Sequence, residues 1–180
     1  MTMQYDVKGS HNSGSGFMVT GRSRLKNLIY LGTGTAGSID VFDTNIAPVT
    51  TGSYARSGYT VTVTSTAHGL STGQTVGITF AVASSVSATA GNYVITRLTA
   101  DTFSITDINT GTIAGGTACI YVSNAVANTN SIYPNKWLTS YNTGTAVQPF
   151  QVLFQGEGML VNNGLYVVVT NIAWQTVQYG

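Results

Sequence analysis

The stretch "YTVTVTST" alternates along residues 59–66, with Tyr59, Val61 and Val63 on one face and Thr60, Thr62 and Thr64 on the other. That is the two-residue period of an extended chain. Short β-branched or alternating runs recur in "NLIYLG", "SIDVFD", "FQVLFQ", "LYVVVTN" and "WQTVQYG". "NYVITRLTADTFSITD" predicts two strands joined by a turn at Thr99–Asp101. Apolar residues at helical spacing are almost absent, and glycine or β-branched residues interrupt each candidate window. The pattern predicts an all-β protein.

The strands fall into two blocks. Residues 1–55 and 124–180 hold both tryptophans (Trp137, Trp174), all three prolines (Pro48, Pro134, Pro149) and most of the charges. Residues 56–123 are rich in Thr, Ser, Ala and Gly. Neither flank alone has enough strands to close a core, but joined they supply about seven or eight, the size of a jelly roll or β-sandwich. The expectation is therefore a discontinuous β-sandwich or jelly-roll domain over 18–55 plus 124–180, preceded by a flexible arm over 1–17. A small barrel-like β domain is inserted over 56–123, bounded by the linker-like "TTGSYARSG" and "SNAVANTNS".

Composition narrows the function classes. Hydrophobic residues are 43% of the total, enough for a core, whereas charged residues are only 7%, against roughly 25% in an ordinary soluble protein. Thr, Ser, Asn and Gly must carry solubility, and so neutral a surface is typical of proteins packed into assemblies. Seven Lys/Arg against six Asp/Glu give a net charge of +1, which argues against a nucleic-acid partner because phosphate neutralisation needs clustered cations. The densest cationic stretch is "GRSRLK", with Arg22, Arg24 and Lys26 alternating along a strand edge; it reads as a solvated face or a partner contact. The single cysteine, Cys119, lies in the apolar strand "GTACIYV" and reads as a small buried hydrophobe. The N-terminus has no apolar run and no stretch approaches a membrane span, so the expectation is synthesis in a cytoplasm, no classical export signal and no membrane partner.

The tempting motifs have plainer explanations. Gly32, Gly34 and Gly37 in "LIYLGTGTAGSIDVFD" match G-x-G-x-x-G, but a dinucleotide site needs a following helix and "SIDVFD" is strand-like. Two glycine-rich strands joined by a hairpin account for the same residues. Asp40 and Asp43 read as solvent-facing strand-end acids, since calcium needs six to eight oxygens and no acidic loop is present. One Cys and two His do not make a zinc set, and no metal or cofactor is expected. His68 has Ser71 and Thr72 nearby but no orienting acid; "AHGLSTGQ" reads as a hairpin corner with Leu70 packed over its end. Asp101 and Asp107 bracket a strand and make no glycosidase pair. "QVLFQGEG" looks like a protease recognition sequence, but Val152 and Phe154 continue a strand alternation.

Residues 59–106 add a resemblance. "YTVTVTSTAHGLSTGQTVGITF" followed by "GNYVITRLTADTFSIT" resembles a small β-module of tailed-bacteriophage structural proteins, keeping His68, Gly69, Leu70, Gly73, Gln74, Val76, Tyr93, Asp101, Thr102 and Phe103. It departs in "AVASSVSATAG", expected to be a flexible loop. The flanks, from Arg24 to Gly37 and from Gly156 to Gly180, resemble a short structural protein of marine and freshwater phages, with residues 56–123 as the main departure.

The resemblance implies a virion component with no enzymatic activity, made in the host cytoplasm. The leading expectation is a capsid decoration (cement) protein that binds the major capsid protein and itself, as a homotrimer. Its expected interface residues are the N-terminal arm, Arg22, Arg24, Lys26, Trp137 and Trp174, although tryptophan is equally a core residue in sandwiches. A second reading is a tail fibre, baseplate or adaptor subunit. A third is a carbohydrate-binding module with a host glycan as partner, stacking on Tyr133, Trp137 and Tyr141.

Overall fold

The structure, a computed structural model, describes residues 7–45, 50–123 and 135–180. The described regular structure is entirely β. In chain order the strands are β1 (Lys8–Asn12), β2 (Gly16–Thr20), β3 (Ser23–Gly32), β4 (Gly37–Asp43) and β5 (Thr50–Thr64). They continue as β6 (Thr75–Phe80), β7 (Gly91–Val94), β8 (Thr96–Arg97), β9 (Thr102–Ser123) and β10 (Lys136–Gly144). The last four are β11 (Pro149–Leu153), β12 (Met159–Val161), β13 (Gly164–Thr170) and β14 (Ile172–Tyr179). The protein divides into two compact units, Met1–Ala47 with Ser140–Gly180, and Pro48–Thr139.

In the first unit one sheet has the order β1-β14-β3-β11, with β12 also on β3, and the other has the order β10-β4-β13-β2. The pairs nest: β1 with β14, β2 with β13, β3 with β11, and β4 with β10. That is a jelly roll, a long antiparallel hairpin rolled up so that its successive rungs alternate between two sheets. Leu28, Ile39, Val41, Leu165, Val167 and Val177 are buried in this unit, each worth about 1.5–3 kcal/mol relative to exposure. The second unit is inserted in the sequence after β4, and the boundary with the returning first unit falls within β10, between Thr139 and Ser140.

Three expectations change here. "GTGTAG" does not close a hairpin, because β3 and β4 belong to different sheets. The turn crosses between them, and the crossing is tight: a Cβ on Gly37 would stand 2.5 Å from the Thr170 carbonyl oxygen. Residues 8–12 of the expected arm form β1, paired with β14 from Lys8↔Tyr179 to Asn12↔Gln175. This strand supplies backbone hydrogen bonds at a sheet edge and few core side chains, so no apolar signal marks it. β3 is an interior strand flanked by β14 and β11, so Arg24 and Lys26 do not lie on a sheet edge.

The second unit is built on one long ribbon. β5 and β9 pair from Thr50↔Tyr121 to Thr64↔Thr102, with register shifts at Tyr54/Arg56 and Gly58/Thr60. The ribbon doubles over on itself at these bulges. A Cβ on Gly52 would lie only 2.8 Å from the Thr64 carbonyl oxygen, at the other end of the same strand. Inside the fold lie Tyr54, Val61, Val63, Ile78, Phe103, Ile105, Cys119 and Tyr121. The sheet order is β5-β9-β6-β7, with β8 on β9, and the expected barrel-like closure has no counterpart among the described pairs. The linker expected at "TTGSYARSG" is the first half of β5, its glycines serving close approach and bulge. Val61 and Val63 are buried as the alternation requires, but the bulge at Gly58 (φ 62°) turns Tyr59 outward to 56% exposure. The other expected linker, beyond Ser123, lies outside the described residues.

Neighbouring leucines test the inside–outside assignment of the first unit. Leu28 pairs with Val152 on β11 and is fully buried, whereas Leu153, one position on, is 67% exposed. Leu28→Ala is expected to cost about 2–5 kcal/mol and Leu153→Ala less than about 0.5 kcal/mol, read from urea unfolding curves.

Candidate functional site

The largest buried charged side chain among the described residues is Arg56, 2% exposed, held between the two bulges of β5. Its Nη2 lies 3.1 Å from Asp107 Oδ2, with both side chains inaccessible to solvent. The remaining N–H groups donate to backbone carbonyls: Nε to Gly58 (3.1 Å), Nη1 to Val86 (2.7 Å) and Ser87 (2.9 Å), and Nη2 to Asn109. All five guanidinium donors are thereby satisfied. Asp107 accepts in turn from the backbone N–H of Thr89 (2.9 Å) and of Ile108 (2.7 Å). Tyr93 donates its hydroxyl to the Thr89 carbonyl at 2.7 Å and stands 3.5 Å from Asp107 Oδ1.

This cluster corrects the flexible-loop expectation for "AVASSVSATAG". Ser87 Oγ accepts the N–H groups of Ala83 and Ser84 at 2.8 and 3.0 Å and donates to the Ser84 carbonyl. Ala88 is buried in the core, and Arg56 and Asp107 hold Val86, Ser87 and Thr89 by their backbone. A lone buried carboxylate or guanidinium would be prohibitive; paired and saturated, the two fix a loop that has no ladder of its own. A saturated pair has no donor or acceptor to offer a substrate, so its chemistry is that of a staple.

His68 does not sit at a hairpin corner, since β5 and β6 do not pair but lie on either side of β9. Its Nδ1 accepts the Leu70 N–H at 3.0 Å, and its ring meets Phe103 edge-on at 5.3 Å. This closes the turn over the core, where Leu70 is 4% exposed. Asp101 Oδ1 accepts the N–H of Ala67 (2.7 Å), a residue held at φ 50°. Thr72 Oγ1 accepts the N–H of Arg97 at 2.9 Å, so this hydroxyl braces β8.

Asp40 and Asp43 are also internal, 6% and 0% exposed, and not the solvent-facing acids expected. Each acid is turned onto donors of its own unit instead of water. Asp43 Oδ1 accepts from Asn163 (2.7 Å) and Gly164 (3.4 Å), and Oδ2 from Asn162 (3.0 Å), capping the turn into β13. Asp40 accepts from the hydroxyls of Ser140 and Ser38.

Of the five expected interface residues, Arg22, Arg24, Lys26 and Trp174 lie in the first unit and Trp137 in the second. Arg24 pairs with Glu157 at 2.9 Å, and Lys26 Nζ donates to the Glu157 carbonyl at 2.7 Å, so both are tied to the turn before β12. Arg22 instead lines a cleft of about 460 Å³ with Lys8, Phe17, Met18 and Tyr179. Trp174, half-buried, packs on His11 at 5.8 Å. Trp137 belongs to the second unit, where the Asn92 side chain brackets its backbone: Oδ1 accepts the Trp137 N–H and Nδ2 donates to its carbonyl, both at 2.9 Å. Of the aromatic trio proposed for sugar, Tyr133 lies outside the described residues, and Trp137 and Tyr141 fall in different units. No group of three metal-ligating side chains occurs among the described residues, nor does any helix long and apolar enough to cross a membrane.

Sequence reasoning passed over Arg56 and undervalued Asp107 and Tyr93. One signal was available: Arg56 is the only Asp, Glu, Lys or Arg between Asp43 and Arg97. A solitary cation in so neutral a block is a candidate for burial against an acid elsewhere. Comparison with protein-family models gives no match, and comparison with curated proteins gives none either.

Removing one partner of the staple strands the other in the core. Arg56→Met is expected to destabilise the second unit by about 3–5 kcal/mol, and adding Asp107→Leu to recover most of that loss; chemical denaturation of the four proteins of the cycle reads both values. Alkali tests the same unit. Burial first, and then Asp107, push the Tyr93 hydroxyl from an ordinary 10.0 up to about 12. Burial pushes the Cys119 thiol from 9.0 up to about 12. Both groups stay protonated in the folded state where the unfolded protein releases its protons, so their contribution is complete below pH 9 and is lost as pH rises to 12. Stability is expected to fall over that window, and Tyr93→Phe with Cys119→Ala to flatten the decline.

Proposed function

We propose that this protein is a non-enzymatic structural component of a tailed-phage virion, a capsid decoration (cement) protein that binds the major capsid protein and self-associates as a homotrimer. The observation that carries the reading is where the charges go. Each of the five described acids is engaged within its own unit: Asp40 by hydroxyls, Asp43 and Asp101 by backbone N–H groups, Asp107 by Arg56, and Glu157 by Arg24. The surface that remains is sparsely charged, with Lys8, Arg22, Arg24, Lys26, Arg97 and Lys136 against Asp101 and Glu157 among the described residues. It is rich in Thr, Ser, Asn and Gly, with isolated apolar side chains such as Val82 and Ile108, each 76% exposed.

A sparsely charged surface suits contacts repeated across a lattice, where packing and hydrogen bonds work without charge steering. The resemblance of residues 59–106 and of the flanks to phage structural proteins points the same way. A jelly roll gives such a role a body whose strands are nested in pairs, and the staple ties the loop between β6 and β7 to the ribbon. The mechanism is mechanical: subunit contacts resist the pressure of packaged DNA.

Copy number tests the proposal. Quantitative mass spectrometry of purified particles is expected to give a ratio to the major shell protein near one or a simple fraction of it. A ratio of a few hundredths or less would place the protein at the tail or its vertex and end the cement reading.

A further inference from the structure

The turn capped by Asp43 contains the only Asn-Gly dipeptide of the sequence, Asn163–Gly164. In that dipeptide the missing side chain of glycine leaves its amide nitrogen open to attack the neighbouring asparagine. We propose that Asn163 is a latent deamidation site and that the Asp43 carboxylate keeps it silent.

The reaction is intramolecular. Gly164 N bonds to Asn163 Cγ, the Cγ–Nδ2 bond of Asn163 breaks, and ammonia leaves carrying the proton lost by Gly164. Water then opens the resulting succinimide to aspartate or isoaspartate. The nucleophile is the deprotonated amide, and two features of the structure oppose it. Asn163 N–H and Gly164 N–H share Asp43 Oδ1, at 2.7 and 3.4 Å, while Oδ2 takes Asn162 N–H at 3.0 Å. A carboxylate with no solvent exposure, already accepting that N–H, disfavours an amide anion at the same place. The peptide plane is also confined: a Cβ on Gly164 would stand 2.9 Å from the Thr44 carbonyl oxygen and 3.1 Å from that of Val19. Ring closure requires that plane to turn.

The guard matters because a core strand begins at the reacting bond. Isoaspartate would add a backbone carbon immediately before β13, whose register against β4 begins at Leu165↔Asp43 and carries Leu165 and Val167 into the core. Plain aspartate at position 163, where the native residue is 5% exposed, would put a second carboxylate beside Asp43.

Prolonged incubation of the full-length protein at mildly alkaline pH, followed by mass-spectrometric mapping of the Asn163 peptide, tests the proposal. The folded wild type is expected to deamidate at least about tenfold more slowly than the same protein in urea. Asp43→Asn, which keeps the shape and removes the charge, is expected to raise the folded rate about tenfold. A folded Asp43→Asn protein as slow as wild type would overturn the role of Asp43, as would wild type reacting at the unfolded rate. Should Asp43→Asn fail to fold, amide exchange in the wild type decides, because base-catalysed exchange passes through the same amide anion. Strong protection at Gly164 supports the guard, and exchange at the unfolded rate removes it.

Discussion

Irregular backbone buried in a β protein must find hydrogen-bond partners off the ladder, and in both units a buried aspartate provides them. Asp43 takes three successive N–H groups at the turn into β13. Asp107 takes those of Thr89 and Ile108 and pairs with Arg56, which in turn takes the carbonyls of Gly58, Val86, Ser87 and Asn109. Unpartnered, each such backbone group would cost about 1–3 kcal/mol. Three of the protein's few charges, Asp43, Asp107 and Arg56, therefore serve its own backbone inside the fold.

The two units use different solutions to one problem, that of folding a long antiparallel hairpin into something with an inside. The first rolls β1–β4 against β10–β14, so that successive paired rungs alternate between sheets and apolar faces meet. The second doubles a single ribbon at two bulges, and the side chains from its two ends, such as Tyr54 and Phe103, share one core. Bulges allow this because one extra residue bends and twists a strand locally without unpairing the rest. The staple at Arg56 lies at that bend, where the ladder is weakest.

The motif residues that invite catalytic readings hold turns. His68 closes over Leu70, Asp101 holds Ala67, and the glycines of "GTGTAG" let the backbone pass from one sheet to the other. Polar residues near glycines are what both a site and a tight turn require, and local sequence does not separate the two. The same ambiguity hid the staple, because Arg56 and Asp107 are 51 positions apart and meet only when the ribbon doubles over.

Local pattern was enough to establish that the protein is all-β and where most strands run, because a two-residue period and β-branched runs are properties of neighbouring residues. It also placed Val61 and Val63 inside and Cys119 in the core, since these need only the alternation. Sheet order, the crossing at "GTGTAG", the pairing of β1, the outward turn of Tyr59 and the burial of Asp40 and Asp43 came from long-range assembly. Each depends on which strand becomes the neighbour, and that choice is made by pairings between residues up to 171 positions apart, as in Lys8↔Tyr179. An aspartate at the end of an isolated strand belongs in water. With the N–H groups of Asn162, Asn163 and Gly164 turned onto its carboxylate, the same aspartate belongs inside.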